Sequence, residues 1–299
     1  MENMKFDNDW VYEIELELTT NCNLSCPLCA RNREESMYLI DGTSRPLNEI
    51  IKQLDTFVNF KHCCLAGMLS EPTLYEDLFE LIRYLNMRNI EIELHTNGDT
   101  HDDDYWYELG KLTSSITQVN FTICGSTQEL HEKYRVNSNL SRILSHHSAF
   151  KRGSKHNNDY LQHIMFEYNK DDFENMGYIR SLFSNEGNIE SAPYAERFGV
   201  DICGVTQRIE LSEKYNKIKN LTKMHRNNKI VDCKSYEDHF ITIDNNGKIF
   251  PCFLYRMYID EDWNLDYGDI LRYKYDFCYE CERKSFNMIK SFKGLERMT

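Results

Sequence analysis

Apolar and polar residues alternate strictly in residues 12–18, where three glutamates separate four apolar side chains. A period of two is typical of a β-strand whose two faces meet different surroundings. In residues 47–57 the apolar positions recur every three or four residues, which predicts an amphipathic helix. We therefore expect the fold to begin with a strand that is followed by a helix.

The two patterns continue to alternate further along the chain. A short apolar run at residues 63–65 predicts a second strand, and residues 74–85 carry the apolar stripe of a second helix. Such alternation favours parallel strands joined by crossover helices, and a partial (β/α)6 barrel of the TIM type fits it best. Further strands are predicted at residues 90–94, 118–123, 161–166 and near Ile189, and further helices near residues 104–112, 140–149 and 173–183.

The pattern changes after about residue 225. Residues 240–244 alternate again, and the sequence Asn245-Asn246-Gly247 separates them from a second apolar run at residues 249–253. Asn-Gly between two such runs favours a tight turn with positive φ angles, so we predict a β-hairpin. The α/β barrel would then occupy residues 1–225, and a small, cysteine-rich extension with a hairpin and a C-terminal helix would occupy residues 226–299.

The chain has 299 residues, enough for one large domain and a small one, and a formal net charge of -13. This acidity argues against nucleic-acid or anionic-membrane binding, because both depend on Lys and Arg that neutralise phosphates. No apolar run reaches the roughly eighteen residues of a membrane span, and the first ten residues lack a signal-peptide pattern. With eleven cysteines, we expect a cytoplasmic protein that uses thiols for metal binding.

Three cysteines, Cys22, Cys26 and Cys29, follow the first predicted strand with C-x-x-x-C-x-x-C spacing. Disulfides are disfavoured, because the number is odd and no secretory signal is present. Tetrahedral zinc would require a fourth Cys or His, and none lies within twenty residues on either side. An iron-sulfur cube held by three thiolates, with one open iron, fits the motif better. A zinc knuckle and buried structural thiols remain the alternatives.

This motif, directly after a strand, resembles that of the radical S-adenosylmethionine (radical SAM) superfamily. The resemblance implies that Cys22, Cys26 and Cys29 hold a 4Fe-4S cluster whose open iron chelates the methionyl group of S-adenosylmethionine (SAM). Leu28 occupies a position that is usually aromatic in the family.

Two further segments at predicted strand ends resemble family motifs. In residues 67–72, Glu71 and Pro72 match a Gly-Gly-Glu-Pro segment that contacts the methionyl amino group, and Ser70 replaces the second glycine. Thr96-Asn97-Gly98 resembles a segment that contacts the ribose hydroxyls. Ordinary polar turns are the alternative for both segments, and a buried strand threonine is the alternative for Thr122. The cofactor-binding residues implied are Gly67, Ser70, Glu71, Pro72, Thr96, Asn97 and Thr122.

The later cysteines form a second group. Cys233, Cys252, Cys278 and Cys281 suffice for tetrahedral zinc or for a fully ligated 4Fe-4S cluster. Together with Gly247, their spacing resembles the SPASM and twitch extensions of radical SAM enzymes. The resemblance implies the shorter twitch form, with one auxiliary 4Fe-4S cluster.

The remaining candidates have weaker signals. Glu17 faces the same side of its strand as Glu13 and Glu15 and is a weak candidate for substrate contact, with a salt-bridged carboxylate as the alternative. Cys203 is a weak candidate for a hydrogen-atom donor, as some radical SAM epimerases use a cysteine. Arg135 is interpreted as a charge on a helix surface. Three cysteines are interpreted as small buried hydrophobic residues: Cys63, Cys64 and Cys124.

The resemblance implies an oxidoreductase that cleaves SAM reductively to a 5'-deoxyadenosyl radical, which abstracts a hydrogen atom from a peptide or peptide-like substrate. The alternatives are a sugar or aminocyclitol dehydrogenase and, in another class, a non-catalytic zinc-binding interaction protein. The expected partners are an electron donor such as flavodoxin or ferredoxin and, because only about ten residues precede the first strand, a separate leader-peptide-binding protein.

Overall fold

Strands and helices alternate in the computed structural model, which describes residues 8–27, 29, 31, 39–67, 69–166, 168–169, 171–191 and 239–250. The strands are β1 (Glu13–Leu16), β2 (His62–Leu65), β3 (Glu91–Thr96), β4 (Thr117–Thr122), β5 (Asp159–Met165), β6 (Asn185–Ser191), β7 (Phe240–Ile243) and β8 (Ile249–Phe250). The helices are α1 (Leu47–Leu54), α2 (Leu78–Met87), α3 (Asp103–Leu112), α4 (Gln128–Tyr134), α5 (Leu140–Gly153) and α6 (Gly177–Leu182). Short 3-10 turns lie at Asn8–Trp10, Pro72–Leu74 and Phe173–Met176.

The strands of the described ranges form one sheet in the order β6-β5-β4-β3-β2-β1-β7-β8. All neighbouring pairs are parallel except β7 and β8, which form an antiparallel hairpin. The sheet is open, and the predicted partial α/β barrel and its hairpin are confirmed. The hairpin joins the barrel sheet, because Phe240 of β7 pairs with Glu13 of β1. The predicted boundary between residues 225 and 226 lies outside the described residues and stays a prediction.

The two faces of the sheet have different compositions, as the period-two pattern predicts. One face presents apolar side chains such as Ile14, Leu65 and Phe121 to the helices, and all three are fully buried. Trp106 of α3 and Phe150 of α5 complete this layer, with ring centroids 5.2 and 5.7 Å from that of Phe121. The opposite face, inside the curve of the barrel, is polar and carries glutamate, histidine, cysteine, asparagine and glutamine side chains.

Several helical segments differ from the prediction, and α1 ends at Leu54 rather than at residue 57, whereas α5 continues to Gly153 rather than to residue 149. Helix α2 begins at Leu78 rather than at residue 74, because Pro72–Leu74 forms a separate 3-10 turn. The helix predicted at residues 173–183 is divided into the turn Phe173–Met176 and α6. Helix α4 was not predicted, since its seven residues are too few for a clear apolar period. None of the helices in the described ranges combines the length and the apolar composition that crossing a membrane requires.

Candidate functional site

The candidate site lies at one edge of the sheet. The cysteine loop follows β1, residues 67–72 follow β2, and Thr96 to Gly98 end β3. Because these strands are parallel neighbours, their carboxyl ends meet at the same edge, where barrels carry their chemistry. The structure therefore brings together the first metal-binding motif and two of the predicted cofactor segments.

Of the three loop thiols, Cys26 is buried, and Cys22 and Cys29 are partly exposed. Burial, together with the nearby Glu71 carboxylate and the other two loop thiols, raises the pKa of Cys22 to about 11. Burial likewise raises the pKa of Cys29. Because Cys26 and Cys29 raise the pKa of Cys22, the three thiols become thiolates together only when a cation compensates their charge. The donor set therefore fits a metal cluster held by Cys22, Cys26 and Cys29.

Glu71 links two of the strand-end loops through its buried carboxylate. Oε1 accepts hydrogen bonds from the Thr73 hydroxyl at 2.8 Å and the Thr96 hydroxyl at 2.6 Å, and Oε2 accepts the Asn97 backbone N–H at 2.7 Å. Its own backbone N–H donates to the Asn21 carbonyl of the cysteine loop at 2.8 Å. Burial raises the pKa of Glu71, and these hydrogen bonds oppose the rise. Glu71 thus fixes the relative positions of three loops.

Asn97 completes this connection on the side of the cysteine loop. Its side-chain N–H donates to Oδ1 of Asn23 at 2.8 Å, and Asn23 donates in turn to the Asp99 carbonyl at 2.8 Å. The Asp99 backbone N–H returns to the Asn97 side-chain oxygen at 2.8 Å, so the bonds form a closed ring. Arg142 of α5 pairs with the Asp99 carboxylate at 2.9 Å and holds it in place.

Gly67 must be glycine for a geometric reason. Its φ angle is +58°, and an added Cβ would lie 2.6 Å from the Ser70 hydroxyl oxygen and 2.7 Å from the Ser70 carbonyl oxygen. Pro72 is buried and opens the 3-10 turn after Glu71. The segment is therefore a tight and specific turn rather than a variable loop.

Two candidates have contacts that favour a supporting role. The Glu17 carboxylate is buried and accepts the Leu69 backbone N–H at 2.6 Å, so it braces the loop after β2. The Thr122 hydroxyl donates to the Gln162 side-chain oxygen at 3.1 Å, on the polar face inside the barrel. Neither contact tests a direct role toward substrate or cofactor.

Arg135 contacts cysteine side chains, which corrects its interpretation as a charge on a helix surface. It ends α4, and its guanidinium hydrogen-bonds the Cys124 thiol and lies near Cys26. Burial alone would lower the pKa of Arg135, but Cys124, Cys26 and Tyr134 raise it, so the group stays cationic. The neighbouring Val136 carbonyl accepts the Ser25 backbone N–H at 3.1 Å, which docks this segment on the cysteine loop.

Arg31 supplies a second cation, and it donates to the carbonyls of Thr20 and Leu69. Its position two residues after Cys29 is a signal that the sequence did offer. For Arg135 no local signal exists, because its contact with the cysteine loop joins distant parts of the chain. Five predicted site residues lie outside the described residues and stay predictions: Cys203, Cys233, Cys252, Cys278 and Cys281.

An open parallel barrel with clustered thiols at its strand ends defines an α/β protein that is built to hold a metal centre. The family model described as the radical SAM superfamily matches residues 16–177, which is more than half of the chain. The protein therefore belongs to the radical SAM superfamily, and membership implies a 4Fe-4S cluster and SAM as cofactors.

Curated relatives match smaller parts of the chain. The tungsten-containing aldehyde ferredoxin oxidoreductase cofactor-modifying protein of Pyrococcus furiosus is 23% identical over 117 residues, 38% of this chain and 32% of the relative. A probable GTP 3',8-cyclase of Pyrococcus horikoshii is 32% identical over 94 residues, 30% of this chain and 28% of the relative. The matches thus span about a third of those relatives' lengths.

Solved structures share the fold along most of the chain. Streptococcus suis SuiB bound to its precursor peptide SuiA has a TM-score of 0.58 and 16% identity, covering 92% of this chain and 67% of SuiB. The protein anSMEcpe with bound AdoMet and the Cp18Cys peptide has a TM-score of 0.55 and 18% identity, covering 90% and 81%. At such identities the similarity establishes the fold alone.

Proposed function

We propose that this protein is a radical SAM oxidoreductase that removes a hydrogen atom from a peptide or peptide-like substrate. Cys22, Cys26 and Cys29 hold its first 4Fe-4S cluster, and the loops joined by Glu71 and Asn97 bind SAM. When bound, the cluster and SAM supply one-electron cleavage of the sulfonium and a 5'-deoxyadenosyl radical for hydrogen-atom abstraction. Every other contribution comes from side chains that the fold places around these groups.

The observation that carries this proposal is the closed set of contacts around the three thiols. Glu71 and Asn97 keep the loops after β2 and β3 in a fixed position relative to the cysteine loop. Arg135 places a positive charge near Cys26 and hydrogen-bonds the Cys124 thiol, so a cation lies beside the thiols that would carry negative charge toward iron. Three cysteines that only filled space in the core would need neither the positive charge of Arg135 nor the ring of hydrogen bonds around Asn97.

The peptide substrate is favoured by two structural neighbours. SuiB with its precursor peptide and anSMEcpe with a peptide share this fold, and the polar interior of the barrel offers hydrogen-bonding groups to a substrate. For the second cysteine group we propose an auxiliary 4Fe-4S cluster that Cys233, Cys252, Cys278 and Cys281 would hold and that would serve in electron transfer. A flavodoxin or ferredoxin as electron donor, a separate leader-binding protein and a cytoplasmic location complete the proposal.

The first test measures SAM cleavage by the anaerobically reconstituted protein with a chemical reductant. Replacing Cys22, Cys26 and Cys29 together with Ala is expected to abolish formation of 5'-deoxyadenosine and to remove about four irons per chain. Cys63→Ala is the matched control, because Cys63 is a buried thiol on the helix side of the sheet. This variant is expected to keep both the iron and the cleavage.

Cleavage that persists in the triple variant would overturn the assignment of the cluster ligands. For the auxiliary site, the change Cys278→Ala with Cys281→Ala is expected to leave SAM cleavage in place but to stop product formation. Iron analysis of that variant distinguishes the two metals, since a zinc site would leave the iron content unchanged.

A further inference from the structure

A second group of metal-ligating side chains lies on the polar face inside the barrel. Cys64 of β2 is the register partner of Glu93 of β3, and His95 follows two residues later on the same face. The Cys64 sulfur, a Glu93 carboxylate oxygen and a His95 ring nitrogen all lie within 4.8 Å of one another. Within the described ranges, this is the one group of three such ligand atoms from Cys, His, Asp or Glu side chains. The sulfur atoms of the three loop cysteines do not lie this close to one another.

The hydrogen bonds of His95 fix which of its nitrogens faces the other two ligands. The Gln162 side-chain oxygen accepts the Thr122 hydroxyl at 3.1 Å and lies 3.1 Å from Nδ1 of His95. Because that oxygen is an acceptor, Nδ1 carries the hydrogen and donates it. Nε2 then faces the Glu93 Oε1 at 2.8 Å. Nε2 of His95 and Oε1 of Glu93 are therefore the atoms that these two side chains would offer to a metal ion.

His95 also has a hydrogen-bond partner on its other ring nitrogen, as histidines in preorganised metal sites do. Histidines that bind metals donate their other ring N–H to an oxygen, which orients the ring and fixes the tautomer, and Gln162 does this for His95. Glu93 is likewise oriented, since Asn120 donates to its Oε1 at 3.4 Å and His62 lies 3.8 Å from its Oε2. The ligands are thus held by a surrounding layer of polar groups.

Charge and access also favour a cation. Glu93 is buried, and Glu13 and Glu15 of β1 face the same interior, with the Glu13 side chain also largely buried. Buried carboxylates are costly unless positive charge compensates them. Cys64 and His95 are partly exposed, so an ion can reach them from the barrel interior.

We propose that Cys64, Glu93 and His95 bind a Zn²⁺ ion inside the barrel. A thiolate, an imidazole and a carboxylate together favour zinc over Mg²⁺ or Ca²⁺, which take oxygen ligands. Three protein ligands leave one tetrahedral position open, as in zinc sites that bind water or a substrate group. His95 directly precedes Thr96, whose hydroxyl binds Glu71, so the ion lies beside the proposed SAM-binding loops and can anchor a substrate oxygen or nitrogen there.

The test uses the full chain with its iron-sulfur clusters reconstituted, to which zinc alone is added in equilibrium dialysis. We expect one additional zinc per chain, with iron and sulfide unchanged. Zinc-edge X-ray absorption is expected to show one sulfur and otherwise nitrogen and oxygen ligands. Cys64→Ala and His95→Ala are expected to weaken zinc binding by at least about 100-fold, and Gln162→Leu by about 10-fold to 100-fold.

Cys63→Ala is the matched control, because its side chain points from the same strand into the apolar core. It is expected to bind zinc like the wild type. Equal zinc binding by Cys64→Ala and Cys63→Ala would overturn the proposal. A sulfur-rich absorption spectrum would also overturn it, since it would place the zinc on the cluster cysteines. Glu93→Gln keeps the side-chain volume, so a folded, iron-loaded Glu93→Gln protein with normal zinc affinity would also contradict the site.

Discussion

The side-chain amide of Asn97 donates a 2.8 Å hydrogen bond to the side-chain oxygen of Asn23, across 74 positions of sequence. Asn97 is buried at the end of β3, whereas Asn23 lies between the first two cysteines of the loop. The bond therefore attaches the cysteine loop to the end of a strand in the sheet. The sequence Thr96-Asn97-Gly98, which is also typical of an ordinary turn, thus contacts the cysteine loop through Asn97.

Asn97→Ala removes this bond and leaves the Asp99 N–H without its acceptor. We expect the free energy of unfolding to fall by about 1–3 kcal/mol, because a buried polar group loses its partner. Urea unfolding measures the change. Asn48→Ala, on the exposed surface of α1, is the control and is expected to stay within about 0.5 kcal/mol of wild type. Equal stabilities of the two variants would show that the ring contributes nothing.

Gly67→Ala tests the tight turn after β2. The new methyl group would meet the Ser70 backbone, and the positive φ angle adds strain of about 1–2 kcal/mol. We expect weaker SAM binding in calorimetric titration of the reconstituted protein. Gly177→Ala is the control, because nothing lies within 4 Å of its added Cβ at the start of α6. The control is expected to bind SAM normally, and a Gly67→Ala protein that does the same would show that the turn tolerates a side chain.

Arg135→Gln tests the buried cation beside the cysteine loop. Without the guanidinium, the thiol of Cys26 loses a neighbouring positive charge, so we expect the affinity for the iron cluster to fall by about 10-fold to 100-fold. Loss of iron to a chelator over time measures this. Arg83→Gln, which breaks only a surface pair with Glu80, is expected to lose iron at the wild-type rate. If both proteins release iron equally fast, Arg135 has no part in holding the cluster.

The buried side chain of His131 leads us to predict that the protein becomes less stable as the pH falls. Burial, with the nearby positive charge of Arg135 and with His163, lowers its pKa to about 3. Its Nδ1 accepts the Cys124 N–H at 3.1 Å, and its Nε2 donates to the Ser138 hydroxyl at 3.0 Å, so both nitrogens of the neutral ring are used. An unfolded histidine titrates near pH 6.5, so the stability from His131 is complete above about pH 6.5 and is lost as the pH falls toward 3.

Urea unfolding at about pH 7 and about pH 5 measures this effect. We expect the free energy of unfolding to be about 2 kcal/mol lower at the lower pH, since each pH unit below the unfolded pKa costs roughly 1.4 kcal/mol. His131→Asn keeps an acceptor for the Cys124 N–H but cannot be protonated, so its stability is expected to change less between the two pH values. His156→Asn, at an exposed position, is expected to keep the full wild-type dependence. An unchanged slope in His131→Asn would assign the pH dependence to other groups.

The sequence predicted the parts of the fold that local patterns determine. The alternation around Ile14 identified β1, because it depends on neighbours along the chain, and the spacing of Cys22, Cys26 and Cys29 predicts the metal motif for the same reason. It misplaced the start of α2, since Leu74 fits the apolar stripe although Pro72 begins a separate turn.

Long-range contacts were beyond the reach of the sequence. Cys64 was interpreted as a buried hydrophobic residue, but its neighbours Glu93 and His95 come from another strand, and only the register between β2 and β3 brings them together. Arg135 was interpreted as a charge on a helix surface for the same reason, because its contact with Cys26 joins distant parts of the chain. Residues whose partners lie elsewhere in the chain carry no local pattern, and most of the site consists of such residues.

The position of β1 between β2 and β7 has a consequence for biogenesis. Glu15 pairs across the sheet with Thr242, which the ribosome adds 227 residues later. The strand that ends in the cysteine loop therefore lacks one of its two neighbours during most of translation. Folding that waits for such distant pairings is slow. We expect iron loading to follow the synthesis of β7, so that cells must protect the three thiols from oxidation until that strand has been made.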